Sequence, residues 1–245
     1  MAIEVTRSHG KRYDDSAKKR EHMVPYSPQD AISVLKDIKA AKFDETVELH
    51  IFTNADPRHA DQLIRSVTML PHGTGKSQRV LAFVQGEGET LAREAGADYI
   101  GDAETIRKIE EEGWADFEVS IATPEMMGQI GKLGRVLGRR GLMPNPKLGT
   151  VTMDVAKAVE EAKGGAVEYR AEKNGIIHGG VGKCSFDHKK LLENTQAFID
   201  AVVRAKPSGA KGTYVKKITM TSSMGPGLEI DVATAIERIN TKRAA

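Results

Sequence analysis

The chain has 245 residues, 29% of them charged, with 36 Lys and Arg against 34 Asp and Glu for a formal charge of +2. That length suggests one or two domains, and an apolar share of 40% can fill a core, so wholesale disorder is excluded. One cysteine, Cys184, excludes an internal disulfide, four-thiolate zinc sites and iron–sulfur clusters; no run approaches the ~20 apolar residues of a membrane span, and the N-terminus lacks a signal-peptide core.

Residues 1–24 mix Arg7, Lys11, Arg12, Lys18, Lys19 and Arg20 with few apolar groups and read as an extended basic arm. Ser27-Pro28 opens a helix: serine can cap, proline suits the first turn, and Ile32, Leu35 and Ile38 recur at helical spacing. Residues 46–51 alternate, with Val47, Leu49 and Ile51 on one side and Thr46, Glu48 and His50 on the other, which predicts a half-buried strand with a polar outer face. Next come an apolar run at 79–84, a helix at 89–95, a short strand at 97–100, a helix at 103–112 and a strand at 117–122. Thr123-Pro124 starts a further helix ending near Leu137. Short apolar strands alternating with helices predict a parallel sheet covered on both faces. Beyond it, 166–170 and 176–178 read as a hairpin around Lys173-Asn174-Gly175. Residues 186–205 form a helix with Leu191, Leu192, Thr195, Phe198, Ile199 and Val202 on its apolar stripe, and 215–224 a strand with Lys217, Thr219, Thr221 and Ser223 on one face. The expected architecture is an α+β discontinuous domain of split β-α-β type, built from 1–72 and 163–230. A three-layer, Rossmann-like α/β domain is inserted at 73–162. A C-terminal extension at 231–245 carries Val232, Ile236 and Ile239 at the spacing of a short amphipathic helix.

A net charge near zero argues against a nucleic-acid partner only until it is divided. Residues 73–162 carry 11 basic and 15 acidic residues, a net of −4, and the flanks carry 25 and 19, a net of +6. The acidic excess concentrates at 102–118 and reads as a solvated helix end. The basic ends gain meaning if they share one surface.

Most motifs for chemistry fail. Gly73-Thr74-Gly75-Lys76-Ser77 resembles the end of a phosphate-binding loop, but Leu70 stands where a glycine is needed and the segment enters a strand rather than a helix. Gly86-Glu87-Gly88 lies where a dinucleotide fingerprint belongs, yet Leu91 replaces the third glycine and Glu87 and Glu89 would repel a pyrophosphate. The histidines, at 9, 22, 50, 59, 72, 178 and 188, form no ligand spacing, so no metal or cofactor is expected, and Cys184 has no assignable base. No catalytic residue is assigned; the alternative of a nucleotide-dependent enzyme would rest on the inserted domain.

Two stretches stand apart. Residues 132–147, KLGRVLGRRGLMPNPK, hold five basic groups and no acid, and Lys132, Arg135, Arg139 and Arg140 could touch phosphate. Gly131, Gly134 and Gly138 leave one helix face nearly free of side chains, which permits close backbone packing. In ITMTSSMGPG at 218–227, Thr219, Thr221 and Ser223 offer hydroxyls, and Gly225-Pro226-Gly227 lets a partner approach the backbone. Lys206, Lys211, Lys216 and Lys217 add charge beside it. Lys42-Phe43 precedes a strand with a similar polar face. Lysines contact phosphate, an exposed aromatic stacks, and hydroxyls reach ribose, so folded RNA fits better than single strands in a chain only 5% aromatic.

These stretches, with GKRY at 10–13, AKFDETVELH at 41–50, LPHGTGK at 70–76, GADYIG at 96–101, KLGRVLGRRGLMPNPKLGTV at 132–151, EYRAEKNGIIH at 168–178 and KPSGAKGTYVKKITMTSSMGPG at 206–227, resemble the L-one ribosomal protein family of the large subunit, in its bacterial form. The resemblance implies a non-enzymatic, cytoplasmic, ribosome-bound protein that is monomeric when free. It implies binding to the stalk region of large-subunit rRNA, a part in releasing exit-site tRNA, and repression of its own operon's mRNA. The implied RNA contacts are Lys42, Phe43, Thr46, Glu48, Glu172, Lys173, Ser223, Met224 and Gly225; Thr221 joins Ser223 as a ribose partner, and Lys132, Arg135, Arg139 and Arg140 are secondary contacts. Arg139 stands where the family usually has proline, Ser223 where threonine is common, and Phe52-Thr53-Asn54 departs from the usual loop.

Overall fold

The computed structural model describes residues 10–21, 24–39 and 41–237. In chain order the elements are α1 (Lys11–Ala17), α2 (Pro28–Ile38), β1 (Thr46–Thr53), β2 (Arg65–Met69), β3 (Val80–Phe83), α3 (Glu87–Glu94), β4 (Tyr99–Ile100), α4 (Ala103–Glu112) and β5 (Val119–Ala122). There follow α5 (Met127–Ile130), α6 (Gly134–Leu137), α7 (Val155–Gly164), β6 (Ala166–Arg170), β7 (Ile176–Lys183), α8 (His188–Arg204), β8 (Val215–Ser222) and β9 (Leu228–Ile230). The chain divides into two compact units. One holds the residues up to Ile64, Leu70–Gly75 and those from Tyr169 onward; the other holds Arg65–Met69 and Lys76–Glu168.

The first unit is built on a four-stranded sheet ordered β7-β1-β8-β9, with neighbouring strands antiparallel. Alternation along β1 decides its two faces. Val47, Leu49 and Ile51 are fully buried, and with Ile177, Val181, Ile218 and Met220 they form the side against which α2 and α8 pack. Ser27 caps α2 by accepting from the Asp30 amide, Pro28 takes the first turn, and Ala31, Ile32, Leu35 and Ile38 are the buried stripe. Thr46, Glu48, His50 and Phe52 face the other way. Thr46, Glu48 and His50 are half-buried and Phe52 is exposed, so that face is polar and solvent-accessible.

Three local expectations for this unit need correction. Residues 11–17, read as part of an extended arm, are helical, and the buried Ser16 hydroxyl donates to the Ile38 carbonyl at 3.2 Å, docking α1 on the end of α2. Arg7 lies outside the described residues. The 173–175 turn forms, with the Gly175 amide donating to the Glu172 carbonyl at 2.8 Å and Gly175 at φ +74°. It does not close a two-stranded hairpin: one bridge, Ala171 to Ile177, joins its arms, because β6 pairs with β2 while β7 pairs with β1. The last predicted strand stops at Ser222, and β9 follows it as a further edge strand. Residues 232–237 are helical, and Ile239 lies outside the described residues.

The second unit has a parallel sheet, β4-β3-β5, covered on both faces as its apolar strands predict. Leu81 and Phe83 pack with Ile109, Phe117, Ile130, Leu133 and Leu137, while Val80, Ala82 and Val84 pack with Ala92, Val155, Val159 and Ala162. The helix expected from Thr123-Pro124 to Leu137 is broken into 3-10 and α turns through Gly131 and Gly134. A side chain at Gly131 or Gly134 would meet nothing within 4 Å, whereas one at Gly138 would lie 2.4 Å from the Gly134 carbonyl oxygen, so close backbone approach accounts for only the last of the three. With the observed boundaries, this unit holds 13 basic and 16 acidic residues, a net of −3, and the first unit holds 23 and 18, a net of +5.

Candidate nucleic-acid interface

The open face of the four-stranded sheet ends in two loops, 39–45 before β1 and 223–227 after β8. Glu45 holds them together. It continues the inward register of Val47, so its carboxylate is only 1% exposed. One oxygen accepts the Ala41 amide at 3.1 Å and the other the Met224 amide at 3.0 Å. Burial alone would raise its pKa; hydrogen bonds from Ser222, Met224 and Ala41, with Lys39 nearby, outweigh that and hold it below the ordinary value of 4.5. Beside it, Asp44 accepts from the Ser185 amide at 3.0 Å and the Ser185 hydroxyl at 2.6 Å. Lys183 Nζ donates to the Thr46 hydroxyl at 2.9 Å. The two loops are therefore preformed.

On this frame Phe43 and Met224 stand out into solvent, 54% and 55% exposed, with Lys42 also exposed. Thr46 and Ser223 lock to one another: the Thr46 amide donates to Ser223 Oγ at 3.1 Å, and the Ser223 amide donates to the Thr46 carbonyl at 3.1 Å. Thr221 Oγ1 donates to the Gly225 carbonyl at 3.1 Å and pairs in register with Glu48. Both hydroxyls already hold the chain in place: Thr221, whose proton goes to the Gly225 carbonyl, keeps acceptor capacity for a partner, while Ser223 Oγ accepts the Thr46 amide and lies 3.5 Å from the Thr46 carbonyl. Gly225 has an internal reason for its missing side chain, since a Cβ there would lie 2.4 Å from Ser222 Oγ. Close approach by a partner is not needed to explain it.

The residues expected from the sequence thus divide. Lys42, Phe43, Thr46, Glu48, Thr221, Ser223, Met224 and Gly225 gather at one end of the sheet. Glu172 and Lys173 are exposed in the turn before β7, at the opposite end, roughly 20 Å along the six residues from Thr46 to Phe52. Lys132, Arg135, Arg139 and Arg140 belong to the other unit and are exposed along its broken helical segment. Arg139 sits in the turn after α6, where Leu142 donates to the Leu137 carbonyl at 2.9 Å and Gly141 takes φ +72°, so the turn closes without proline. Sequence reasoning missed Glu45, although an acid on the buried register of an alternating strand is a readable signal. It also missed Lys183, which a β-bulge opposite Val47 and Glu48 turns outward.

The glycine motifs take structural roles. The buried Asn194 side chain donates to the Gly73 and Val181 carbonyls and accepts the His72 amide at 3.0 Å, pinning the 70–75 turn to its own unit. Gly86 makes a tight entry into α3. Among the described residues, no group of three or more His, Cys, Asp or Glu is placed to hold a metal, and no helix is long and apolar enough to cross a membrane.

Against this geometry, the model of the Ribosomal protein L1p/L10e family matches residues 35–226, more than three quarters of the chain. The chain belongs to the ribosomal protein L1p/L10e family. The L1 family consists of structural ribosomal proteins rather than enzymes, and membership makes the chain an rRNA-binding component of the large ribosomal subunit. The matched span begins inside α2 and ends at Pro226, so it includes Ala41, Glu45 and Met224, the residues of the clasp.

Proposed function

We propose that the first unit is the RNA-binding domain of this L1-family protein and that it binds the stalk region of large-subunit rRNA. Lys42, Phe43, Thr46, Glu48, Thr221, Ser223, Met224 and Gly225 form the main contact, and Glu172 and Lys173 the second. The observation that carries this reading is an open polar sheet face ending in two exposed apolar side chains, Phe43 and Met224, on loops clasped by one buried carboxylate. Such a surface suits folded RNA: rigid apolar groups lie against splayed bases or ribose, lysines meet phosphate, and hydroxyl oxygens accept from 2′-OH groups. Lys132, Arg135, Arg139 and Arg140 supply further phosphate contacts from the other unit. Bound at the stalk, the protein takes part in releasing deacylated tRNA from the exit site, and the same surface on its own operon's mRNA represses translation.

Binding to a stalk rRNA fragment, followed by fluorescence anisotropy, should weaken about ten- to a hundredfold between ~50 and ~200 mM salt if about three phosphates are neutralised. ATP or NAD should leave the melting temperature unchanged. Saturable nucleotide binding without RNA affinity would sink this reading in favour of an enzyme built on the second unit. Phe43→Ala should weaken RNA binding by roughly tenfold or more, on the scale of one stacked base. Its circular-dichroism melt should change little, because the residue is 54% exposed. Met224→Ala behaves alike, whereas Ser223→Val also removes the bond to Thr46 and is the poorer probe.

A further inference from the structure

Between its two ends the open sheet face carries a pair of side chains outside the contacts named above. His50 on β1 and His178 on β7 are partners in register, with Nδ1 atoms 2.6 Å apart and ring centroids 4.8 Å apart. At that distance one nitrogen donates and the other accepts, so the pair holds one proton between the rings. A proton on each facing nitrogen would force the rings apart. Glu48 Oε2 lies 3.9 Å from His50 Nε2, and Glu172 Oε2 lies 3.5 Å from His178 Nε2. Across β8 the partner of His50 is Thr219; the charges of β8 and β9 on this side are Lys217, bonded to Glu229 at 2.6 Å, and Lys216, whose ammonium lies 5.2 Å from the Phe52 ring centroid. Lys173 adjoins Glu172 in the turn. Burial and then His178 lower the pKa of His50 from the ordinary 6.5, against the pull of Glu48.

Resting on the RNA-binding reading, we propose that the His50–His178 pair is a proton-gated phosphate site for the RNA backbone as it crosses from the Phe43–Met224 end to the Lys173 end. Taking up two protons from solvent, so that each ring becomes an imidazolium with N–H on both nitrogens, breaks the Nδ1–Nδ1 hydrogen bond. Each ring then turns an N–H toward a non-bridging phosphate oxygen, whose negative charge offsets the repulsion between the two imidazoliums. The complex therefore holds more protons than the free protein, and RNA affinity rises as pH falls through the histidine range. Folding has the opposite sign. A depressed His50 pKa means that the unfolded chain binds the proton better, so stability falls as pH drops below 6.5. A gain in affinity at low pH is then not a by-product of a firmer fold.

The test measures the Kd of the full chain for the stalk rRNA fragment at about pH 6 and about pH 8 in constant salt. The wild type should bind about fivefold more tightly at the lower pH, and in the H50A/H178A double variant the ratio should fall below about twofold. Calorimetry in two buffers of different ionisation heat should show net proton uptake for the wild type and close to none for the variant. Binding that ignores pH in the wild type, or a pH gain that persists in the variant, overturns the phosphate site and leaves the RNA reading standing. No binding at either pH overturns both.

Discussion

Glu45→Ala is expected to cost about 3 kcal/mol of folding stability and to weaken binding to stalk rRNA by at least tenfold. The carboxylate is nearly inaccessible and accepts the amides of Ala41 and Met224, with Ser222 as a further donor. Truncation strands these donors beside a small void, and each buried donor left unpaired costs roughly 1–3 kcal/mol. The RNA effect has a separate origin. Without the clasp, the loops bearing Phe43 and Met224 must be ordered at the moment of binding rather than before it. Urea unfolding and anisotropy check the two parts independently, since Phe43→Ala should lose RNA affinity alone. A pH arm sharpens the result. The folded-state pKa of Glu45 is lowered, so its contribution is present above the ordinary 4.5 and is lost as pH falls through and below that value. Glu45→Gln, nearly isosteric but neutral, should remove that share of the acid sensitivity. If Glu45→Ala unfolds at the wild-type urea concentration, the buried clasp is not holding the loops.

Gly179→Val is the second large effect, at about 3 kcal/mol from overpacking. A Cβ at Gly179 would lie 2.3 and 2.4 Å from two ring carbons of Phe198, which is fully buried and meets Tyr169 edge-on at 5.6 Å between centroids. The ring has no free space to enter, so α8 must lift from the sheet. Asn194 on α8, which pins the 70–75 turn, would move with it. The neighbouring glycine supplies the control. Gly180 points to the open face, where a Cβ would meet only Thr46 Cγ2 at 3.4 Å. Gly180→Ala should therefore fall within about 1 kcal/mol of the wild type. Equal stabilities for Gly179→Val and Gly180→Ala, by denaturant unfolding, would show that the packing face of β7 is assigned the wrong way round.

Much of this molecule is legible in local pattern. The period-2 alternation of Val47, Leu49 and Ile51 against Thr46, Glu48 and His50 separates core from open face, because neighbouring side chains of a strand must point apart. Ser27-Pro28 starts α2, and the continuous apolar run at 80–84 marks a strand buried on both faces. The exposed Phe43 was likewise readable, as an aromatic beside a lysine ahead of a polar-faced strand, whereas Met224 came only through the family resemblance. Pattern failed where non-local partners choose between local options. The 173–175 turn has hairpin chemistry, yet β6 leaves to pair with β2, which sequence spacing cannot express. The glycines at 131 and 134 suggest close packing, but nothing lies against them.

By itself, the sequence determined most of the strands and helices but not α1, β2, α7 or β9, the apolar faces of β1, α2 and α8, the basic character of the ends and the family to which the chain belongs. All of these rest on periodicity and composition within short windows, or on motifs in order along the chain. Tertiary structure alone decided that Glu45 bonds an amide 179 residues away, that the Thr221 and Ser223 hydroxyls are already engaged, and that the His50 and His178 rings meet across two strands. Each depends on strand register between distant segments, and a slip of one residue would turn those side chains to the opposite face of the sheet.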